Sequence, residues 1–496
     1  MDIIHFLVEK TPKNLTIQTK SDKIKCLKNQ ENEMDKKREL FEKMPVPKAL
    51  ATLAIPTIIS QLISMIYNLA DTFYIGLAND PSQTAASSIS FTLVFMMNCI
   101  PNLFGVGAGS LISRLLGEKK DKDAGGVASF AFYCTFIVSA LYSLAVLIFM
   151  NPMLRLLGAT DSALPYAQQY AFWVVVLGAI PATLSMTMSH LLRSEGFASK
   201  ASLGLGLGGV MNIILDPIFM FLILEPGNEV KGAAMATMLS NMITLVYYVV
   251  IYVKIRKKSV LSLNPKKALL DFKFIKSVLA VGIPSALGSL LACISNIVIN
   301  NLASGYSYLY GDVPVASIGI AKKIDMLPMN VGFGLCQGMV PLVAYNFASG
   351  DHKRMRAFSR VTRTAAMSFA AVCVIMFQIF ATYICAIFNG HAETVAMSTD
   401  FLRILCLSVP FMLFNLQIAF SFQAMGMGKE SLILSSLRQG VINIPLLFVM
   451  NHFFGLYGIV WTQLISDIIT GIISYAVYRH CLGKLMSKKN EAEQTA

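Results

Sequence analysis

The chain has 496 residues, of which 55% are hydrophobic and only 14% are charged. Soluble domains carry roughly 25% charged residues, so this composition excludes an ordinary water-soluble fold. The net charge of +13 comes from lysines and arginines in short segments between long apolar runs. That pattern is typical of membrane topology and does not suit a nucleic-acid groove, so we expect a lipid bilayer and no nucleic acid as partner.

Twelve segments are long and apolar enough to cross about 30 Å of hydrocarbon as helices. Residues 1–44, which precede them, are polar and rich in lysine, and we interpret them as a cytoplasmic tail. Met34 is an alternative start, so the sequence leaves open whether residues 1–33 belong to the native chain. The apolar segments are 49–77, 84–116, 124–150, 162–191, 199–224, 231–255, 274–303, 313–349, 357–388, 395–425, 430–452 and 455–479.

Basic residues between the segments predict the orientation of the chain. They cluster in every second loop, and the alternate loops hold almost none. The basic loops contain Arg114, Lys119, Lys120, Arg193, Lys200, Lys254, Arg256, Lys258, Lys353, Arg354, Lys429 and Arg479. By the positive-inside rule these loops and both termini are cytoplasmic, in a multi-pass protein of the cytoplasmic membrane.

The longest predicted loop divides the helices into six plus six, and the two halves resemble each other. AIPTIISQLISMIYNLADTFYIGLA in the first half aligns with GIPSALGSLLACISNIVINNLASG in the second, which places Pro56 opposite Pro284. Both copies enter the membrane from the same side, so the repeat predicts a two-fold axis along the membrane normal and suits alternating access. We expect an N-terminal six-helix lobe at 45–255, a cytoplasmic linker at 256–273, a C-terminal six-helix lobe at 274–480 and a cytoplasmic tail at 481–496. The predicted fold is therefore an all-α polytopic membrane protein with two pseudo-symmetric bundles.

Two intramembrane carboxylates distinguish the first lobe from the second. Asp71 lies 15 residues after Pro56, where the second lobe has Ile299, and the counterpart of Asp216 is deleted. Both aspartates lie towards the outer end of an outward-running helix, and so at similar depth. Charged groups at this depth mark ion pathways more often than they serve packing.

Polar neighbours surround these carboxylates in the sequence. Asn212 lies four residues before Asp216 and so shares its helix face, and Tyr67 and Asn68 are possible supporting residues near Asp71. Amide and carboxylate oxygens suit a hard cation such as Na⁺, and the carboxylates could instead share a proton. The alternative is a structural role, in which each aspartate only bonds a neighbour.

Other intramembrane charges lie in the second lobe. Lys322 and Asp325 are three residues apart and are expected to pair, whereas Lys323 could face the cavity. Arg438 and Asp467 lie at comparable depths on neighbouring helices, and we expect a structural ion pair between them. Gly204, Gly206 and Gly209 form a GxGxxG pattern inside a spanning helix, which we interpret as a packing surface and not as a dinucleotide site.

Four motifs together carry a family resemblance. They are YNLADTFYIG in the first helix, ISRLLGEKKDKDA after the second, LRSEGF to NIILDPIFM through the fifth, and GMVPLVAYNFASGDHKRM after the eighth. Over residues 45–480 the chain resembles the multidrug and toxic compound extrusion (MATE) family, in its prokaryotic DinF/MepA-like branch. The resemblance implies two six-helix bundles facing a shared cavity, and export of amphipathic or cationic small-molecule drugs in antiport with H⁺ or Na⁺.

The resemblance also implies site residues. In this branch the coupling site is in the N-terminal lobe and carries over to Asp71, Asn212, Asp216 and Thr237, with Na⁺ as a possible ligand of the four. Thr237 rests on the match to KGAAMAT at the start of the sixth helix. Another branch uses a Glu in helix 7 and an Asp in helix 10. Here those helices carry Ala292, Asn415 and Gln417, so we expect no such second site.

The sequence contains no HExxH, GxSxG or P-loop motif, so we expect neither an enzyme nor an ATP-driven pump. We also expect no cofactor beyond the coupling ion, and a monomer. The specific substrates and the choice between H⁺ and Na⁺ remain open. The alternatives are a lipid-linked oligosaccharide or other flippase of the same superfamily, a membrane-embedded enzyme such as a prenyltransferase, and a passive channel.

Overall fold

The computed structural model describes residues 39–77, 81–225, 227–256, 258–268, 271–311, 313–388 and 391–495. Within these ranges, eleven stretches are long and apolar enough to cross a membrane when each of two bent helix pairs counts as one. The last of them, Gly428–Lys484, has 57 residues and would be about 85 Å long as one helix, far more than one crossing needs. Gly455 interrupts it with φ 58° and ψ −144°. When this stretch is divided at Gly455, the described residues contain twelve candidate spanning helices, which agrees with the predicted number.

The helices lie close to their predicted positions. The first six are α1 Val46–Leu77, α2 Ala86–Gly117, α3 Asp121–Leu156, α4 Leu164–Leu177 with Ala179–Ser194, α5 Ala198–Ile223 and α6 Glu229–Ile255. The second six are α7 Phe272–Ser304, α8 Val313–Ala348, α9 His352–Phe388, α10 Ala392–Cys406 with Val409–Met425, α11 428–454 and α12 456–495. The bends of 49° in α4 and 45° in α10 were not predicted, and the predicted tail at 481–496 continues α12 as helix through Thr495.

The contacts between the two halves follow a two-fold axis. α1 packs along α8, and α7 packs along α2. An axis that exchanges α1 with α7 and α2 with α8 maps each contact onto the other. The turns repeat as well, because Gly196 after α4 and Gly426 after α10 both have positive φ, 90° and 75°.

Two segments outside the spanning helices dock onto the bundles. Of the predicted N-terminal tail, residues 1–38 lie outside the described residues, but Phe41 is 2% exposed and stacks on Tyr345 of α8 at 4.7 Å. Arg354 of α9 donates from Nε to the Phe41 carbonyl at 2.7 Å. The linker is fastened to the N-terminal lobe, since the Val260 amide donates to Glu195 Oε1 at 2.6 Å. The predicted tail and linker are thus partly structural elements.

Glycines bring α8 against α1. A Cβ on Gly338 would lie 2.5 Å from Ala54 Cα, and one on Gly334 would lie 2.6 Å from Ile58 Cα. A backbone atom cannot give way as a flexible side chain can, so these positions require glycine at the interface between the lobes.

We expect Gly338→Ala to lower the melting temperature of the detergent-solubilised protein, because overpacking costs about 1–3 kcal/mol. Gly319→Ala is the matched control on the same helix, since a Cβ there has no atom within 4 Å. Both changes add the same helix propensity. Equal melting temperatures for the two variants would contradict the close α1–α8 contact.

Candidate functional site

Helix α5 carries glycines on two faces, and these bring it close to two neighbours. Gly204 and Gly208 lie against α6, where Tyr248 and Thr244 fill the space that a Cβ would need. Gly209 faces α1, where a Cβ would lie 2.8 Å from Ile63 Cγ2. The GxGxxG pattern is thus a packing surface, as the sequence predicts, and it draws α1, α5 and α6 together.

Three of the four predicted coupling residues form a hydrogen-bonded cluster where these helices meet. The Asn212 amide donates from Nδ2 to Asp216 Oδ1 at 3.1 Å and to Thr237 Oγ1 at 3.2 Å. Asn212 and Asp216 are 2% and 0% exposed. Asn212 therefore links α5 to α6 and orients the Asp216 carboxylate, and Thr237 does lie beside the pair.

Asp71 completes the cluster from α1. It is half-buried, and its carboxylate lies within electrostatic range of Asp216. The phenols of Tyr67 and Tyr170 interact with both carboxylates. Tyr170, from α4, is 6% exposed, and the sequence analysis missed it because no motif marks it. Asn68 donates to the Ser64 carbonyl at 2.6 Å, within its own helix, and its side chain also hydrogen-bonds Tyr67.

Three oxygens of the cluster are buried without a hydrogen-bond partner: Asp71 Oδ1, Asn212 Oδ1 and Asp216 Oδ2. Leaving such acceptors unsatisfied is unfavourable in a low dielectric. A proton or a small hard cation would satisfy them, and the oxygen-only donor set suits Na⁺. Pro217 ends the regular helix directly after Asp216, and a π-helix continues over Ile218–Ile223. Such π segments often lie at functional sites.

A separate cavity lies between the two lobes. Its volume is about 230 Å³, and its wall comes from α2, α4, α7, α8, α10, α11 and α12. Phe95, Met329, Phe333 and Phe420 supply apolar surface. Asp71 and Asp216 are not among the described residues that line it. The structure thus separates the carboxylate cluster from the space in which a small molecule could lie.

The second-lobe charges have partners that only partly match the predictions. Arg438 Nε and Asp467 Oδ1 form the expected ion pair at 2.7 Å, with Asp467 fully buried. The predicted pair of Lys322 with Asp325 is not a direct hydrogen bond. Lys322 donates to Asn296 Oδ1 of α7 at 2.7 Å. Asp325 instead lies within electrostatic range of Arg438, Asp467 and Lys322, and its Oδ1 has no partner.

Two further predictions concern cavity and second-lobe residues. Lys323, a candidate cavity charge, is not among the described residues that line the cavity, whereas Ala292 is. The amides of α10 form hydrogen bonds within the second lobe, since Asn415 donates to the Asp467 carbonyl and Gln417 to Ser421 Oγ, each at 2.9 Å. Asn415 also lines the cavity.

The cavity wall also contains residues that the sequence analysis placed elsewhere or missed. Arg193, counted among the cytoplasmic loop charges, is 4% exposed and lines the cavity together with His190 and Gln337. The helical spacing of His190 and Arg193 within α4 was the available signal, but it does not show which way the helix faces.

Comparisons with known proteins agree with this architecture. The MatE family model matches residues 56–218 and 284–449, so the two matches begin at the aligned prolines Pro56 and Pro284. The multidrug export protein MepA of Staphylococcus saprophyticus is 31% identical over 443 residues, covering 89% of this chain and 96% of that protein. MepA of Staphylococcus aureus is 31% identical, covering 87% of this chain and 93% of that protein.

Solved structures show the same fold. The outward-facing conformation of a multidrug resistance MATE family transporter superposes with a TM-score of 0.83 at 24% identity, covering 90% of this chain and 98% of the other. A crystal structure of MATE in complex with MaD3S gives a TM-score of 0.84 at 24% identity, with the same coverage. With a family match in both halves and relatives at this level of identity, the chain belongs to the MatE family, the multidrug and toxic compound extrusion family that its motifs resemble.

Proposed function

We propose that the chain exports amphipathic small molecules, many of them cationic, across the cell membrane in antiport with H⁺ or Na⁺. The observation that carries this proposal is the set of three unpartnered oxygens on Asp71, Asn212 and Asp216 beside Thr237, at a distance from the cavity. Separate sites allow the coupling ion and the cargo to act on the same protein without competing directly for the same side chains. The naming of relatives as multidrug export proteins supports the cargo class.

We further propose a mechanism in which α1 couples ion binding at the Asp71–Asp216 cluster to the state of the cavity between the lobes. The coupling ion, H⁺ or Na⁺, would bind at the Asp71–Asp216 cluster and neutralise buried charge there. Because α1 packs on α5 within its own lobe and on α8 of the other, a shift of α1 at Asp71 would change the contact between the lobes. The lobes would then exchange between states open to either side, as alternating access requires.

We also propose an orientation, with both termini cytoplasmic and the chain acting as a monomer. The glycine contacts between the lobes lie towards the helix ends that carry basic loops, such as Gly117 against Tyr345 and Gly338 against Ala54. If the positive-inside rule holds, these ends are cytoplasmic. The lobes would then be in contact at the cytoplasmic side, as in an outward-facing state.

Ethidium efflux from cells expressing the protein tests the antiport, with pH and Na⁺ gradients stepped separately. We expect efflux that follows one of the two gradients and collapses when that gradient is removed. Vector-only cells are the control, and a tagged protein confirms membrane insertion. Absence of efflux under either gradient, from inserted protein, would contradict the proposal and favour a flippase.

A further inference from the structure

Arg193 is a buried cation in the cavity wall, near the end of α4. Its Nη1 donates to Gln337 Oε1 at 2.6 Å, across the boundary between the lobes, and its Nη2 donates to Ser189 Oγ at 2.8 Å. Its Nε has no hydrogen-bond partner. The guanidinium thus has an Nε–H without a partner, and the two hydrogen bonds described here are made to neutral groups.

The charge of Arg193 is not balanced by a carboxylate within the described part of the chain. Its electrostatic neighbours there are the Tyr248 phenol and the His190 imidazole, and neither is a carboxylate. Glu195, two residues along the chain, directs its carboxylate to Ser259 and the Val260 amide. A buried guanidinium without a counter-ion is costly to maintain in a low dielectric.

The rest of the described cavity wall adds no negative charge. It contains Arg193, Arg438 and His190 but neither Asp nor Glu, and Arg438 is already paired with Asp467. Arg193 therefore gives the cavity a positive charge. Close by in the same cavity, Phe333 and Phe420 pack edge to face at 5.9 Å and offer an aromatic surface.

We propose that Arg193 is a specificity-determining residue that binds a carboxylate or similar acidic group on those exported compounds that carry one. This inference rests on the proposed export function and assigns one of its substrate-recognition residues. The acidic group replaces Gln337 Oε1 as the acceptor at Nη1, where a charged acceptor forms a stronger hydrogen bond than a neutral amide does. Movement of α8 relative to α4 separates Gln337 from Arg193 and exposes the Nη1 donor.

Two dyes that differ only at this group provide the test. Rhodamine 110 has a free carboxyl group, and rhodamine 123 is its methyl ester. Binding of each dye to the purified full chain in detergent is measured by fluorescence polarisation, together with efflux from cells. We expect Arg193→Gln to weaken rhodamine 110 binding about tenfold more than rhodamine 123 binding, and Arg193→Lys to restore part of the difference.

Gln337→Glu distinguishes recognition of a substrate charge by Arg193 from a purely structural contact between Arg193 and residue 337. It supplies a carboxylate to Arg193 while keeping the contact between the lobes, so we expect it to disfavour rhodamine 110 selectively. Arg479→Gln, an exposed arginine on α12, is the control and should leave the ratio of the two affinities unchanged.

Several outcomes would overturn the subsite. Equal effects of Arg193→Gln on both dyes would show that Arg193 serves only the contact between the lobes. Wild-type protein that binds rhodamine 123 but not rhodamine 110 would also exclude the subsite. If Arg193→Gln fails to fold, Gln337→Glu decides the question. Binding to purified protein is independent of transport, so failure of the export function appears in ethidium efflux and failure of the subsite in the affinity ratio.

Discussion

Asp216→Asn should abolish gradient-driven efflux, reducing it at least tenfold in cells at equal protein levels. The carboxylate is fully buried and bound by Asn212, and its second oxygen has no partner. An amide keeps the size of the side chain but can neither take up a proton nor neutralise a cation. Asp71→Asn is expected to have the same effect, because its unpartnered oxygen belongs to the same cluster. The measurement is initial ethidium efflux as the effective cation gradient is varied.

Controls separate coupling from folding. Asp325→Asn removes another intramembrane carboxylate, one in the second lobe, and should leave the dependence of efflux on the gradient intact. Thr237→Val should weaken a Na⁺ site by removing an oxygen, yet affect proton coupling less. If Asp216→Asn pumps normally at equal expression, the coupling ion binds elsewhere and the proposal for this cluster is wrong.

Arg438→Met is the second large expected effect, and it concerns stability. It leaves Asp467 fully buried without its cation, and breaking such a pair typically costs about 3–5 kcal/mol. We expect a marked fall in the melting temperature of the solubilised protein and in its yield from membranes. Gln463 still donates to Asp467 Oδ2 at 2.8 Å, but a neutral amide does not balance the charge.

The double variant Arg438→Met, Asp467→Leu distinguishes an ion pair from simple loss of packing. Replacing both charges with apolar groups of similar size is often close to neutral, so most of the lost stability should return. A double variant no more stable than Arg438→Met alone would show that the two residues do not act as a pair. Fluorescence-detected size-exclusion after stepwise heating measures all three proteins together.

The sequence by itself determined the membrane architecture. Apolar length and periodicity decide how many helices cross a bilayer, because no water is available there to satisfy the backbone. Alignment of Pro56 with Pro284 revealed the repeat, and the absence of counterparts to Asp71 and Asp216 in the second lobe marked the polar cluster. Asn212 and Asp216 are four residues apart on one helix, so their contact follows from helix geometry.

Only the tertiary structure decided which charges meet across helices. Lys322 bonds Asn296 on another helix instead of its neighbour Asp325, and Arg193, counted as a loop charge, turns inward to Gln337, 144 residues along the chain. Such contacts depend on the rotation and separation of helices. Those are set by close-packed glycines such as Gly209 and Gly338, and they cannot be read from spacing within one helix. The charge of the cavity is therefore a property of the packed bundle.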